Sequence, residues 1–134
     1  GEWQADVHEV NAPIKKTRGN LANRVIVSPS GRSARTIFQP LRYANGYTLV
    51  EVKLMTGRMH QIRVHAASAG FPVAADRKYG NVSDNRKLAQ MGIKRQLLHA
   101  SKIELQHPDT DAWLKIEAPL PEDFEQLMAL EPKI

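Results

Sequence analysis

Residues 54–65 constrain the fold of this chain more than any other stretch of its sequence. Upstream of them, residues 47–55 alternate apolar and polar side chains, which predicts a β-strand. Thr56 interrupts this pattern, and its hydroxyl group is expected to cap a helix. The helix is predicted over residues 58–69 and is expected to end at Gly70.

The start of this predicted helix is rich in polar and charged side chains, namely Arg58, His60, Gln61, Arg63 and His65. Backbone N–H groups point outward at a helix N-terminus and favour an anion there. Guanidinium groups bind carboxylates and phosphates through paired hydrogen bonds. The stretch therefore predicts a site for a phosphate or a carboxylate.

The other segments predict a mixture of short strands and helices. A strand over residues 34–41 is expected to turn at Asn45 and Gly46 and to return antiparallel. Further strands are predicted at 24–28, 72–75, 97–107 and 113–118, helices at 86–91 and 122–130, loops at 15–20 and 76–81, and an extended piece at 12–14. Residues 1–11 show no clear period. Together these segments predict a single α+β domain, with a mainly antiparallel mixed sheet and a few short helices.

Composition excludes several classes of protein and site. The chain has no cysteine, which excludes disulfides, thiol nucleophiles and cysteine metal sites. It has no long apolar run, so no membrane span is expected. His60 and His65 do not share a helix face, and no metal site is predicted. We expect a cytoplasmic monomer.

Charge is unevenly distributed along the chain. Between residues 10 and 50 there are seven basic residues and no acidic one, whereas residues 104–134 hold eight acids and two lysines. This asymmetry favours a polyanionic partner on one side of the molecule. The alternative is a solvated surface on which like charges cluster by chance.

A series of motifs in this chain resembles the signature of the RluA-type pseudouridine synthases. The matching residues are Thr56-Gly57-Arg58-x-His60-Gln61-Ile62-Arg63-Val64-His65, Gly70-x-Pro72, Asp76-x-x-Tyr79-Gly80, Leu97-Leu98-His99-Ala100, His107-Pro108 and Glu117-Ala118-Pro119. The resemblance covers nearly the whole chain and is closest to the branch that modifies large-subunit ribosomal RNA. It implies isomerisation of uridine to pseudouridine without a cofactor, and RNA as the partner.

The resemblance implies that Arg63 is the main catalytic residue. In the family, the corresponding arginine lies against the nucleophilic aspartate, where its charge keeps the carboxylate ionised and oriented. The alternative is an arginine that pairs with a nearby acid for structural reasons. The catalytic assignment would be contradicted if Arg63 were bonded to an acid of this same chain with no open cleft beside it.

Other site residues follow from the same resemblance. RNA contacts are expected from Arg58, His60, Arg77 and Lys78. Leu98 is expected to form an apolar wall beside a flipped uracil. The alternatives are solvated charges for the arginines and the lysine, a satisfied structural histidine, and core packing for the leucine.

Three neighbouring positions are interpreted as structural. Asp76 is expected to cap a turn and not to act as the nucleophile. Tyr79 is expected to pack, and it should not be taken for the catalytic tyrosine of the family. His65 is expected to be structural.

Two family motifs are missing from residues 1–134, namely an Arg-Leu-Asp-like motif with the nucleophile and a Lys-x-Tyr motif. The chain therefore resembles the C-terminal portion of a catalytic domain and is expected to be inactive alone. Two alternatives stay open at this point, namely a non-catalytic RNA-binding module and an interaction domain that binds through an exposed edge of its core.

Overall fold

The structure, a computed structural model, describes residues 1–4, 6–17 and 24–129. Within them lie the strands β1 (His8–Asn11), β2 (Ile14–Lys16), β3 (Val25–Val27), β4 (Arg35–Ala44), β5 (Tyr47–Leu54), β6 (Lys102–Gln106) and β7 (Trp113–Glu117). The helices are α1 (Gln61–Ser68), α2 (Val82–Gln90) and α3 (Glu122–Ala129). All strand pairs between these described elements are antiparallel. The predicted α+β fold is confirmed.

The predicted hairpin forms the centre of the largest sheet. Asn45 (φ 57°) and Gly46 (φ 85°) make the turn with the positive φ values that a tight hairpin requires. The returning strand β5 pairs antiparallel with β4, as predicted. β1 pairs with the other side of β4, so the strand order is β1-β4-β5. Residues 1–11 carry no strand period, and only tertiary structure reveals this pairing.

Two smaller sheets change the bounds of two segments predicted from the sequence. β2 pairs with β3, so the loop predicted from Lys15 onward is wrong at Lys15 and Lys16. The rest of that prediction, apart from Thr17, lies outside the described residues. β6 pairs with β7 and begins at Lys102, later than the strand predicted from Leu97.

The strand predicted at residues 72–75 is wrong. Ala75 has a φ of 62°, a left-handed conformation that breaks an extended strand, and the chain turns there. α2 is longer than the helix predicted at 86–91, because its N-terminus is capped earlier. The Asn81 side chain accepts a hydrogen bond from the Asp84 N–H at 3.0 Å.

Helix α1 starts later than predicted and is not capped as predicted. Its N-cap is His60, in the left-handed region with φ 55° and ψ 18°, and no side chain caps the helix at that position. Thr56 instead accepts from the Arg35 N–H at 3.0 Å and donates to Gln61 Oε1 at 2.7 Å. Gly70, with φ 89°, ends the helix as predicted.

Apolar side chains pack α1 onto the sheet. Trp3, Phe38 of β4 and Ala66 of α1 are buried in one cluster. The indole of Trp3 stacks on the ring of Phe71, with 4.7 Å between centroids. Val64 of α1 belongs to a second buried cluster with residues of β2 and β3. The helix is therefore anchored on two sides by removal of apolar surface from water.

A buried glutamine ties α1 to the ends of both central strands. Gln61 is 2% exposed, and both its amide oxygen and its amide nitrogen are hydrogen-bonded. Its Oε1 accepts from the Thr56 hydroxyl and from the Arg58 N–H. Its Nε2 donates to the Arg35 carbonyl and to the Thr36 hydroxyl, each at 2.9 Å. All four bonds satisfy groups that would otherwise be expensive to bury.

His65 extends this network to the chain before β2. Its Nε2 lies 2.9 Å from the Ala12 carbonyl, which can only accept, so this nitrogen carries a proton. Its Nδ1 lies 2.7 Å from the Thr36 hydroxyl, which donates to it. His65 is fully buried. The structural interpretation of this histidine is confirmed.

Replacing Gln61 with alanine should lower the free energy of unfolding by about 3 kcal/mol, since several buried partners lose their bonds at once. Urea denaturation followed by circular dichroism measures the change. Gln90→Ala is the matched control, because Gln90 is exposed at the end of α2. Equal effects of the two substitutions would contradict the role assigned to Gln61.

Candidate functional site

Arg63 lies in α1 and makes a two-pronged ion pair with Asp76, on the loop before α2. Arg63 Nε donates to Asp76 Oδ2 at 2.8 Å, and Nη2 donates to Oδ1 at 2.9 Å. The Asp76 side chain is fully buried, whereas the Arg63 side chain is 15% exposed. Paired hydrogen bonds of this kind set the orientation of the guanidinium plane as well as the position of its charge.

The pair holds both groups in their charged forms. Burial by itself would raise the pKa of Asp76, but the Arg63 guanidinium and the N–H groups of Tyr79 and Lys78 outweigh it and hold that pKa below its ordinary value. The hydrogen bond to Asp76 raises the pKa of Arg63, against the opposing effect of burial. The structure therefore contains a buried carboxylate whose charge is compensated within the chain.

Asp76 also organises its own loop. Its Oδ1 accepts from the Lys78 N–H at 3.0 Å and from the Tyr79 N–H at 3.1 Å, which confirms the predicted turn-capping role. With the two Arg63 bonds, both carboxylate oxygens are occupied. A carboxylate that is fully buried and bonded at both oxygens to its own chain is not placed to reach a substrate.

Tyr79 does more than the packing predicted for it. Its hydroxyl accepts from the Val25 N–H at 2.9 Å and lies 2.7 Å from His60 Nδ1. The hydroxyl can donate its own proton to His60 Nδ1 or accept one from it, depending on the tautomer of His60. Its ring centroid lies 5.0 Å from the Arg63 guanidinium and 5.1 Å from that of Arg24, within range of cation–π attraction.

His60, predicted to contact RNA, is drawn into this cluster. Burial lowers the pKa of His60, and the positive charges of Arg63 and Lys78 lower it further. A neutral imidazole that accepts the Tyr79 proton at Nδ1 carries its own proton at Nε2. The side chain is half-buried, so part of it faces solvent near Arg63.

The other predicted RNA contacts lie on the surface in two places. Arg77 and Lys78 are exposed on the loop that follows Asp76. Arg58 is exposed elsewhere, with its Nε bonded to the Ser33 carbonyl at 3.2 Å. The structure thus brings His60 and Lys78 close to Arg63, whereas Arg58 bonds to the chain just before β4.

Leu98 lies apart from Arg63. It is half-buried and lines an apolar groove of about 420 Å³, together with Ile62 and Ala66 of α1. Arg63 is not among the residues that line this groove. Leu98 lines one side of this groove, which is large enough for a flat base. Its role as an apolar wall beside a flipped uracil remains a prediction.

A second groove, of about 500 Å³, was not anticipated from the sequence as a site. Its cationic lining residues are Lys15, Lys16, Arg32 and Arg58. The absence of acids between residues 10 and 50 was the available signal, but it could not show that β2, the turn at Gly31 and the chain before α1 converge.

The Arg63–Asp76 pair meets one half of the condition that would contradict the catalytic assignment. Arg63 is bonded to an acid of its own chain, as the structural alternative expected. Neither groove described above is lined by it. Its bonds to the described residues use Nε and Nη2, however, and a partly exposed guanidinium retains Nη1 for a further acceptor.

Comparison with known proteins gives a consistent result. The profile of a family described as RNA pseudouridylate synthase matches residues 4–68. Ribosomal large subunit pseudouridine synthase C of Vibrio parahaemolyticus is 38% identical over 96% of this chain, and that of Escherichia coli K12 is 39% identical over 96%. This chain is homologous to the RNA pseudouridylate synthases. It spans about 40% of the length of these pseudouridine synthase C relatives.

Solved structures agree with this relationship. Human RNA pseudouridylate synthase domain containing 1 superposes with a TM-score of 0.72 at 25% identity, covering 89% of this chain and 50% of that protein. Human RNA pseudouridylate synthase domain containing 4 shares the fold, with a TM-score of 0.65 over 92% of this chain and 56% of its own.

The described residues contain neither a membrane-spanning helix nor a cluster of metal-binding side chains. None of their helices has the length and apolar content needed to cross a lipid bilayer. No three histidine, cysteine or acidic side chains among these same residues converge where a metal ion could be held.

Acidification should destabilise the chain through Asp76. Because its folded pKa lies below the ordinary value of 3.8, its stabilising contribution is complete above about pH 5 and is lost as the pH falls below 3.8. Urea unfolding between about pH 6 and about pH 2 measures this decline.

Asp76→Asn cannot titrate and should flatten the acid limb of this profile, whereas Asp109→Asn, at an exposed position in a turn, should leave it unchanged. An unaltered acid limb in Asp76→Asn would contradict the assignment.

Proposed function

We propose that this chain is the arginine-bearing, C-terminal portion of an enzyme that isomerises uridine to pseudouridine in large-subunit ribosomal RNA. The observation that carries the proposal is the partly exposed guanidinium of Arg63, held at a set angle within the segment that matches the synthase motif. The names of the relatives support RNA as the substrate class.

The chemistry needs a group that this chain lacks. Isomerisation replaces the bond between the ribose and N1 of uracil by a bond between the ribose and C5. The hydrogen at C5 is released to water as a proton, and N1 takes up a proton in its place. The family uses an aspartate for this exchange, and no Arg-Leu-Asp motif occurs in residues 1–134. Asp76 is not placed to substitute, because its side chain is fully buried and bonded to Arg63 and to its own loop.

We propose that the nucleophilic aspartate comes from polypeptide outside these residues and approaches Arg63 from its exposed side. The guanidinium edge formed by Nε and Nη2 is already occupied by Asp76, so the incoming carboxylate would bond to Nη1. A cation at that position keeps the nucleophile ionised at neutral pH. Arg63 would then serve two carboxylates, one structural and one catalytic.

RNA phosphates are expected along the cationic surfaces. The groove lined by Lys15, Lys16, Arg32 and Arg58 offers several positive side chains to a sugar–phosphate backbone. Arg77 and Lys78 offer a second set near Arg63. Extrusion of the target uridine costs a few kcal/mol, which such contacts would offset. We further propose that the enzyme is a cytoplasmic monomer.

The groove also favours a second candidate, an RNA-binding module without chemistry. Such a module would need the cations and would have no use for an oriented guanidinium. The two candidates differ in what the loss of Arg63 does to turnover and to binding.

The 134-residue chain alone should release no tritium from RNA labelled at C5 of uridine, because it has no nucleophile for Arg63 to orient. The measurement is a single-turnover assay with excess protein, and an intact relative serves as the positive control. Release of label by the isolated chain would overturn the proposal that the nucleophile lies outside it.

In a complete synthase that contains these residues, Arg63→Ala should lower the rate of tritium release by about 1000-fold with little change in RNA affinity. Arg63→Lys should restore little of that rate, because a lysine cannot bind Asp76 through two bonds and also keep a third donor in place. Arg77→Ala is the matched control and should weaken RNA binding without a comparable loss of rate.

Equal effects of Arg63→Ala and Arg77→Ala on binding, with no turnover in any variant, would favour the non-catalytic module.

A further inference from the structure

The motif Asp76-x-x-Tyr79-Gly80 has no part in the proposed chemistry, yet the structure surrounds Arg63 with it. We infer that Asp76 is a positioning residue for Arg63, and that residues 76–80 form a rigid frame that aims the guanidinium. The inference rests on the proposed function and concerns how the same site is assembled.

The frame restrains Arg63 on one edge and against one ring. Asp76 binds the guanidinium edge formed by Nε and Nη2. The Tyr79 ring has its centroid 5.0 Å from the guanidinium carbon. An arginine side chain has several rotatable bonds, and contacts of two kinds at its far end leave it little freedom.

The frame is itself held from two other elements. The Tyr79 hydroxyl accepts from the Val25 N–H of β3. The Asn85 side chain of α2 donates to the Asp76 carbonyl at 2.9 Å. Gly80 lies so close to that carbonyl that an added Cβ would stand 2.3 Å from its oxygen. The loop therefore has little room to shift, and the carboxylate is held with it.

Backbone strain occurs at both ends of the pair. His60, which precedes α1, has a φ of 55°, and Ala75, which precedes Asp76, has a φ of 62°. Neither is a glycine, and residues other than glycine seldom adopt the left-handed region, although histidine does so more often than alanine. Strain of this kind persists only where the surroundings hold it, and it is common where a functional group must be aimed.

Burial distinguishes positioning from simple neutralisation. A surface acid could balance the charge of Arg63, but Asp76 is fully buried and the exposure of the pair lies on the arginine side. The carboxylate thus holds the guanidinium from the interior and leaves the other side of the guanidinium for an approaching group.

The first test uses the 134-residue chain and needs no variant. In a nitrogen-15 NMR spectrum, the Nε–H of Arg63 should exchange with water at least about 10-fold more slowly than that of Arg77, because it donates to a buried carboxylate. Equal exchange rates would overturn the inference, whatever the activity of any synthase.

The second test uses the complete synthase and compares Asp76→Asn with Asp109→Asn. The asparagine keeps the size of Asp76 and an acceptor for its loop, but it no longer binds Arg63 Nε. We expect kcat to fall about 100-fold with KM unchanged, as for a misplaced catalytic group. Asp109→Asn makes the same chemical change at an exposed position in a turn, outside the ion pair, and should leave kcat within about 3-fold of the parent.

Asp76→Glu offers a second variant if the asparagine protein does not fold. It keeps the charge but moves the carboxylate by one methylene, and kcat should again fall with KM unchanged. An unchanged kcat in the folded Asp76→Asn and Asp76→Glu proteins, or an equal fall in Asp109→Asn, would overturn the positioning role. A parent protein without turnover would overturn the proposed function, and the NMR result would still decide the positioning of Arg63.

Discussion

The bonds of the Gln61 amide group set the position of α1 relative to the central hairpin. The Gln61 side chain bonds to the end of β5 through Thr56 and to the start of β4 through Arg35 and Thr36. Since the group is buried, the loss of any of these bonds would lower the stability of the fold. Every side chain on the first turn of α1, including Arg63, takes its direction from this arrangement.

Arg63 then acquires its orientation from a second, independent part of the chain. The loop at Asp76 bonds to β3 through the Tyr79 hydroxyl and to α2 through the Asn85 side chain. A guanidinium held in this way differs from that of a surface arginine, because its Nη1 group points in a defined direction in addition to carrying charge. The bond that the structural alternative expects of Arg63, to an acid of this chain, is compatible with service to a second carboxylate.

The cations divide into those that shape the site and those that face solvent. Arg24 and Arg63 lie on the Tyr79 ring, where they contribute to packing as well as charge. The groove that includes Lys15 and Arg58 is open to solvent and suits a polyanion. RNA recognition of this kind needs many modest contacts, whereas the reaction needs one well-aimed group.

Local chemistry in the sequence was sufficient for the hairpin at Asn45 and Gly46, for the end of α1 at Gly70 and for the capped turn at Asp76, because each depends on the conformational preference of a few adjacent residues. The motif also singled out Arg63. What it did not reveal was that Thr56 bonds to β4 and to the Gln61 side chain without capping the helix backbone, that β1 pairs with β4, or that Asp76 is the partner of Arg63. Each of these joins segments far apart along the chain, and only burial in three dimensions decides which distant polar groups must satisfy one another.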